Sequence, residues 1–205
     1  MDPASHLRAF VALPLPENIK AALAGLLPAL HRAAPARLAA IRPETWHLTL
    51  KFLGDVPLEG PTGIPALAAA LADVAFAPFD LSPGGGVFFP NPARPRVVAV
   101  GLAAGGPACR ELAGDVEAAL AALGFPRQPR AFTPHLTVAR IKDAPARRKQ
   151  APGRGDWRGV AEQLAGAVWP TCRMDRFVLY QSVLGPGGAR HEALREFSAR
   201  RDGRA

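Results

Sequence analysis

Polar and apolar positions alternate along two short stretches of the chain and recur at helical spacing in several longer ones. In Trp46-His47-Leu48-Thr49-Leu50-Lys51-Phe52 every second side chain is polar, the period of a strand whose successive residues point to opposite faces. His47, Thr49 and Lys51 are expected on one face, with Leu48, Leu50 and Phe52 on the core side. Pro134-His135-Leu136-Thr137-Val138 repeats the pattern 88 positions on, and Arg140 is expected just past that strand, where it gives way to a loop. Leu7 to Leu13 reads as a strand leading through Pro14 and Pro16 into a helix over Glu17 to His31, with Ile19, Leu23, Leu26, Leu27 and Leu30 at helical spacing. Further helices are predicted around Ile64 to Val74, Pro107 to Leu123 and Val160 to Val168, and strands at Phe79 to Leu81, Val97 to Leu102 and Arg176 to Val183. Gly84-Gly85-Gly86 reads as a turn, as does the stretch from His191 through Arg195. The fold class is α+β, and because each half offers helices and a motif strand, two related lobes are expected.

The repeated phrase is His-Leu-Thr followed by an aliphatic residue. With five His and six Thr in the chain, His-x-Thr is expected by chance only about 0.15 times, a false-positive rate against which two copies stand out. Either copy alone would be read as a half-buried polar pair in a strand. Together they suggest two imidazoles meeting across a cleft. Histidine titrates near neutrality, so one ring can be neutral while another is protonated, which supplies a base and an acid. Threonine hydroxyls offer stiff, neutral donors for phosphoryl oxygens. Such a set can break a phosphodiester without a metal, a nucleophilic side chain or a cofactor: one imidazole takes a proton from the attacking oxygen and the other protonates the oxygen that leaves. Zinc is the weaker reading, because a catalytic site takes three protein ligands and no His-x-His pair or cysteine cluster accompanies the motifs. The three glycines are not followed by Gly-Lys-Ser/Thr, so they do not make a phosphate loop.

Both repeats with their surroundings, Trp46-HLTLKFLGDV-Pro57 and Phe132-TPHLTVAR-Ile141, resemble the 2H phosphoesterases, and among them the bacterial and archaeal RNA 2′,3′-cyclic phosphodiesterases once called 2′-5′ RNA ligases. The likeness extends to Arg8-Ala9-Phe10-Val11-Ala12, Gly86-Val87-Phe88, Arg94-Pro95-Arg96-Val97-Val98 and Phe177-Val178-Leu179-Tyr180-Gln181-Ser182. It covers roughly residues 7 to 140 and 172 to 197. It implies a single two-lobed domain over residues 1–205, with two largely antiparallel sheets related by a pseudo-twofold, helices outside and the active site in the central cleft. It also implies roles: His47 as proton donor to the departing ribose oxygen, His135 as the base that activates water, and Thr49, Thr137 and Arg140 as phosphate ligands. The reaction so implied turns a 2′,3′-cyclic phosphate into a 2′-phosphomonoester with no metal or cofactor, and its reversal with a ribose hydroxyl accounts for the ligase name. His191 falls where family members often carry tyrosine, which bears on a substrate-side contact.

At 205 residues, 49% of them hydrophobic, the chain can bury a core of its own. It lacks a run of ~18 apolar residues and its first residues lack a signal pattern, so a cytoplasmic monomer without membrane attachment is expected. Cys109 and Cys172 then read as ordinary thiols. Of 25 basic residues only four are lysine, and the net charge of +8 is read through its clusters. Arg127, Arg130 and Arg140 bracket the second motif and are expected to line its cleft, with Arg130 as a further substrate contact. Arg147, Arg148, Lys149, Arg154 and Arg158 suit a solvated loop better than an RNA-binding patch. The expected partners are RNA ends or nucleotides bearing a 2′,3′-cyclic phosphate. Two alternatives stand: a related phosphodiesterase acting on a smaller cyclic phosphate or a 2′-5′ linkage, and a non-catalytic protein that binds RNA termini. Phe10, Phe52 and Phe88 are candidates for base stacking, with core packing the commoner job.

Overall fold

A computed structural model describes residues 5–142, 155–186 and 188–200. Along the chain run β1 (His6–Pro14), α1 (Glu17–Ala33), β2 (Leu38–Ala40), a short 3-10 turn (Pro43–Thr45), β3 (His47–Pro57), α2 (Ile64–Ala72), β4 (Phe79–Phe89), β5 (Val97–Ala104), α3 (Gly106–Ala121), β6 (Leu136–Ile141), α4 (Arg158–Ala165), β7 (Cys172–Met174), β8 (Arg176–Gly185) and β9 (Gly188–Ser198). They form two antiparallel sheets, one in the order β3-β1-β8-β9 and one in the order β2-β6-β5-β4-β7. Each sheet carries one copy of the motif. The α+β class and the antiparallel sheets agree with the sequence reading.

The sheets are not the two halves of the chain. β1 and β3 share a sheet with β8 and β9 from the far end, while β2 joins the other sheet. The helices interleave too: α1 packs with α4, which lies on β4, and α2 packs with α3, which lies on β3. Neither half can close its core alone, and the apolar residues form a continuous cluster that joins Leu13 and Leu48 of one sheet to Val98 and Leu136 of the other. β1 is buried on both faces from Ala9 to Leu13, which explains its unbroken apolar run.

Two predicted turns are strands instead. Gly84-Gly85-Gly86 lies within β4, where the pairing with β5 slips between Pro83 and Gly86, and Gly85 has φ +70°, a conformation glycine adopts without steric cost. His191 through Arg195 belongs to β9, an edge strand whose charged residues hide the usual alternation; such charges are a common guard on an exposed edge. Cys109 and Cys172 are buried and unbridged. Of the basic segment, Arg147, Arg148, Lys149 and Arg154 lie outside the described residues, and Arg158 is an exposed residue paired with Asp156. Among the described residues no helix is long and apolar enough to cross a membrane.

Candidate active site

The two motif copies share a departure from regular strand geometry. Opposite β1, Thr49 pairs with Ala12 and Lys51 with Val11, leaving Leu50 unpaired. Opposite β5, Thr137 pairs with Ala99 and Ala139 with Val98, leaving Val138 unpaired. Each is a bulge one position after the threonine, and an extra residue reverses the facing of everything beyond it. Leu50 and Lys51 are consequently both buried, as are Val138 and Ala139. The residue five positions after each histidine turns to the cleft instead: Phe52 in the first copy and Arg140 in the second.

Three expectations are corrected by these bulges. Lys51 does not join His47 and Thr49 but is 1% exposed on the opposite side. Phe52 is not core; it is 63% exposed and lines the cleft. Arg140 lies inside β6 rather than in a loop.

The cleft encloses about 450 Å³, and its walls include Arg8, Phe10, Arg42, Trp46, His47, Thr49, Thr137, Arg140, Ser182 and His191. In both copies the histidine Nδ1 lies 2.7 Å from the carbonyl oxygen two residues before it, Thr45 for His47 and Thr133 for His135. A carbonyl only accepts, so Nδ1 carries the proton and donates it, and Nε2 of each neutral ring is left with its lone pair. His47 Nε2 lies 2.9 Å from Thr49 Oγ1, so the hydroxyl donates to it while the ring is neutral. Beneath His47 lies the buried ring of Phe10, 4.7 Å between centroids, and His191 meets His47 edge-on at 5.1 Å. Phe89 packs on His135 at 4.6 Å.

Burial pushes the His47 pKa from 6.5 down to about 4; the bond to Thr45 opposes this, and the imidazoles of His191 and His135 add to it. Burial also lowers His135, opposed by its bond to Thr133, and lowers His191. Without a ligand, then, the site holds neutral imidazoles. The cleft suits an anion: Arg8, Arg42 and Arg140 line it, and a negative charge near His47 favours its protonated form.

His47, Thr49, Thr137 and Arg140 line one cleft; His135 is not among its lining residues, but it stands near enough for its charge to act on His47. Arg130 does not join them; it is exposed in the irregular stretch before the second motif, and the residues lining the cleft do not include it. Sequence reasoning missed Arg8, Arg42 and Ser182, which reach the cleft from β1, the 3-10 turn and β8, and no local pattern marks them. Arg42 also donates to the Ala189 carbonyl at 2.5 Å, tying that turn to β9. Among the described residues no group of three or more His, Cys, Asp or Glu is placed to hold a metal ion.

The family model described as LigT like Phosphoesterase matches residues 13–99 and again residues 100–191, one copy of the motif in each match. An RNA 2′,3′-cyclic phosphodiesterase of Archaeoglobus fulgidus is 33% identical over 191 residues, covering 93% of this chain and 99% of its own. One of Thermus thermophilus is 35% identical over 207 residues, covering 95% and 91%. Among solved structures, TT0787 of Thermus thermophilus superposes with a TM-score of 0.68 at 31% identity, covering 96% of this chain and all of that one. E. coli LigT complexed with 3′-AMP superposes at 0.71 with 23% identity, over 96% and 99%, a likeness of fold. With both halves matched, each around a histidine held through Nδ1 in the same way, the chain belongs to the LigT-like phosphoesterase family.

Proposed function

We propose that this protein is a metal-independent phosphodiesterase, a single bilobal domain that opens 2′,3′-cyclic phosphates at RNA ends and on nucleotides to 2′-phosphomonoesters. The observation that carries the reading is the equivalence of the two histidines: each is fixed through Nδ1 by a carbonyl and keeps Nε2 for chemistry. His135 Nε2 takes a proton from water as the water oxygen bonds to phosphorus. The P–O3′ bond breaks, and His47 Nε2–H gives its proton to the departing O3′. The phosphoryl group stays on O2′, and a proton passed from His135 to His47 through solvent restores the starting state.

For His47 to act as the acid it must be protonated, yet burial keeps it neutral in the empty site. The substrate supplies the remedy, because its phosphodiester is an anion that must sit close to Nε2. Thr49 then turns its hydroxyl from His47 to a phosphoryl oxygen, with Thr137 and the forked guanidinium of Arg140 as further ligands. Phe52 offers an open aromatic face at the cleft for the nucleobase.

The test is a panel of substrates in excess chelator: a short RNA and mononucleotides ending in a 2′,3′-cyclic phosphate, a 3′,5′-cyclic nucleotide and a 2′-5′ dinucleotide, with the product isomer read by phosphorus NMR. A 2′-phosphate formed only from the 2′,3′-cyclic substrates, and lost in His47→Ala and His135→Ala, is expected. Turnover restricted to the other substrates, or binding of RNA ends by the wild type with no turnover of any substrate, would overturn the reading.

A further inference from the structure

The bulge at Leu50 sends a lysine into the protein interior, and what that lysine holds bears on the second histidine. Lys51 is among the largest of the fully buried side chains. Taking a charged amine out of water costs several kcal/mol or more unless good partners meet it. Here Nζ lies 2.5 Å from Glu117 Oε1 on α3 and donates to the Pro126 carbonyl at 2.9 Å. The other carboxylate oxygen, Glu117 Oε2, accepts the Gln128 backbone N–H at 3.1 Å. Beyond the bond within the pair, both remaining bonds end on one short piece of chain, residues 126–128. It lies in the stretch of residues 125–135 that has neither helix nor strand and leads into Pro134, His135 and β6.

Lys51 therefore ties the strand of the first histidine, four residues from His47, to the approach of the second. In the other motif the equivalent position is Ala139, a buried small residue, so the tie runs one way only. An apolar side chain at position 51 would fill the same space with none of the desolvation cost. The chain instead holds a charged pair there, and each partner's further bond goes to the irregular segment.

We propose that Lys51 and Glu117 are positioning residues for the two-histidine reaction, fixing residues 126–128 and through them the placement of His135 relative to His47. The proposal rests on the reaction given above. Small misplacements of a reacting group can cost about 100-fold in rate, and loosening an irregular segment is expected to act through kcat rather than through substrate affinity.

The variants are Lys51→Met and the double substitution Lys51→Met/Glu117→Leu. The single change leaves Glu117 without its ammonium partner and is expected to lower the thermal midpoint. The double change replaces the pair with apolar groups, which commonly restores stability. With a 2′,3′-cyclic mononucleotide, kcat should fall about 10- to 100-fold in both, with KM within about twofold, and should stay low in the double variant even where its thermal midpoint matches the wild type. In imidazole NMR the His135 titration should move up toward 6.5 in the double variant, as its burial loosens, while His47 stays in place. Undiminished kcat, kcat that recovers along with stability, or a loss confined to KM would overturn the proposal. So would an unmoved His135 titration, a readout that stands even if the wild type turned over no 2′,3′-cyclic phosphate; that failure would fall on the proposed reaction instead.

Discussion

If substrate charge is what arms His47, the pH dependence of the free enzyme and of the enzyme–substrate complex must differ in a defined direction. The lowering of His47 from 6.5 to about 4 amounts to roughly 3 kcal/mol against the imidazolium, at about 1.4 kcal/mol per pH unit. A single negative charge about 4 Å from the ring, at an effective dielectric of about 20, returns about 4 kcal/mol. Binding of a phosphodiester anion is thus large enough to carry His47 back to its ordinary value or above it, and it lifts His135 in the same direction. The bell for kcat/KM reports the free enzyme and that for kcat the complex. Steady-state hydrolysis of a 2′,3′-cyclic mononucleotide between pH 4 and 9 should give a kcat/KM maximum below 6.5 and a kcat maximum at least about one pH unit higher. Coincident maxima, or a kcat/KM maximum at or above 6.5, would refute the reasoning by showing that the empty site does not disfavour charged imidazole.

The same burial should make the fold sensitive to acid. Below pH 6.5 the unfolded His47 binds a proton that the folded ring refuses down to about 4, so stability present above 6.5 is lost as the pH falls toward 4; in urea unfolding, His47→Gln should flatten this decline by up to about 3 kcal/mol. Phe52→Ala should raise KM for nucleotides by a factor matching about 1–3 kcal/mol of base stacking while leaving binding of inorganic phosphate unchanged. Arg140→Lys should keep the charge but lose the paired donors, raising KM on a mononucleotide about 10-fold, whereas equal KM would remove Arg140 from the phosphate site.

Much of the site was legible because its chemistry is local. Two copies of a four-residue phrase named His47, Thr49, His135 and Thr137, and the apolar spacing of Ile19, Leu23 and Leu30 placed α1, whose ends fall within two residues of the expected ones. What was not legible depends on partners distant in sequence. The Leu50 and Val138 bulges are set by how β3 and β6 pair with β1 and β5, and a strand's alternation carries no mark of where an extra residue will be left unpaired. That single slip put Phe52 in the cleft and Lys51 in the core. β9 escaped notice because its charged residues, a common guard on an exposed edge, hide the alternation, and Arg8 and Ser182 converge only because β1 and β8 pair in one sheet, with Arg42 brought to them by the connection between β2 and β3. Arg130 shows the opposite error, since closeness in sequence to His135 does not bring it into the cleft.

In the proposed reaction two histidines that are held alike do different jobs, and a substrate with a sulfur in place of the bridging 3′ oxygen separates them. A thiolate leaves without needing a proton, so the acid becomes dispensable while the base does not. On the oxygen substrate His47→Ala and His135→Ala should each lose about 10²- to 10⁴-fold in kcat. On the 3′-thio cyclic phosphate the His47→Ala deficit should shrink to less than about 10-fold while that of His135→Ala persists. Equal deficits on both substrates, or rescue of His135→Ala in place of His47→Ala, would contradict the assignment.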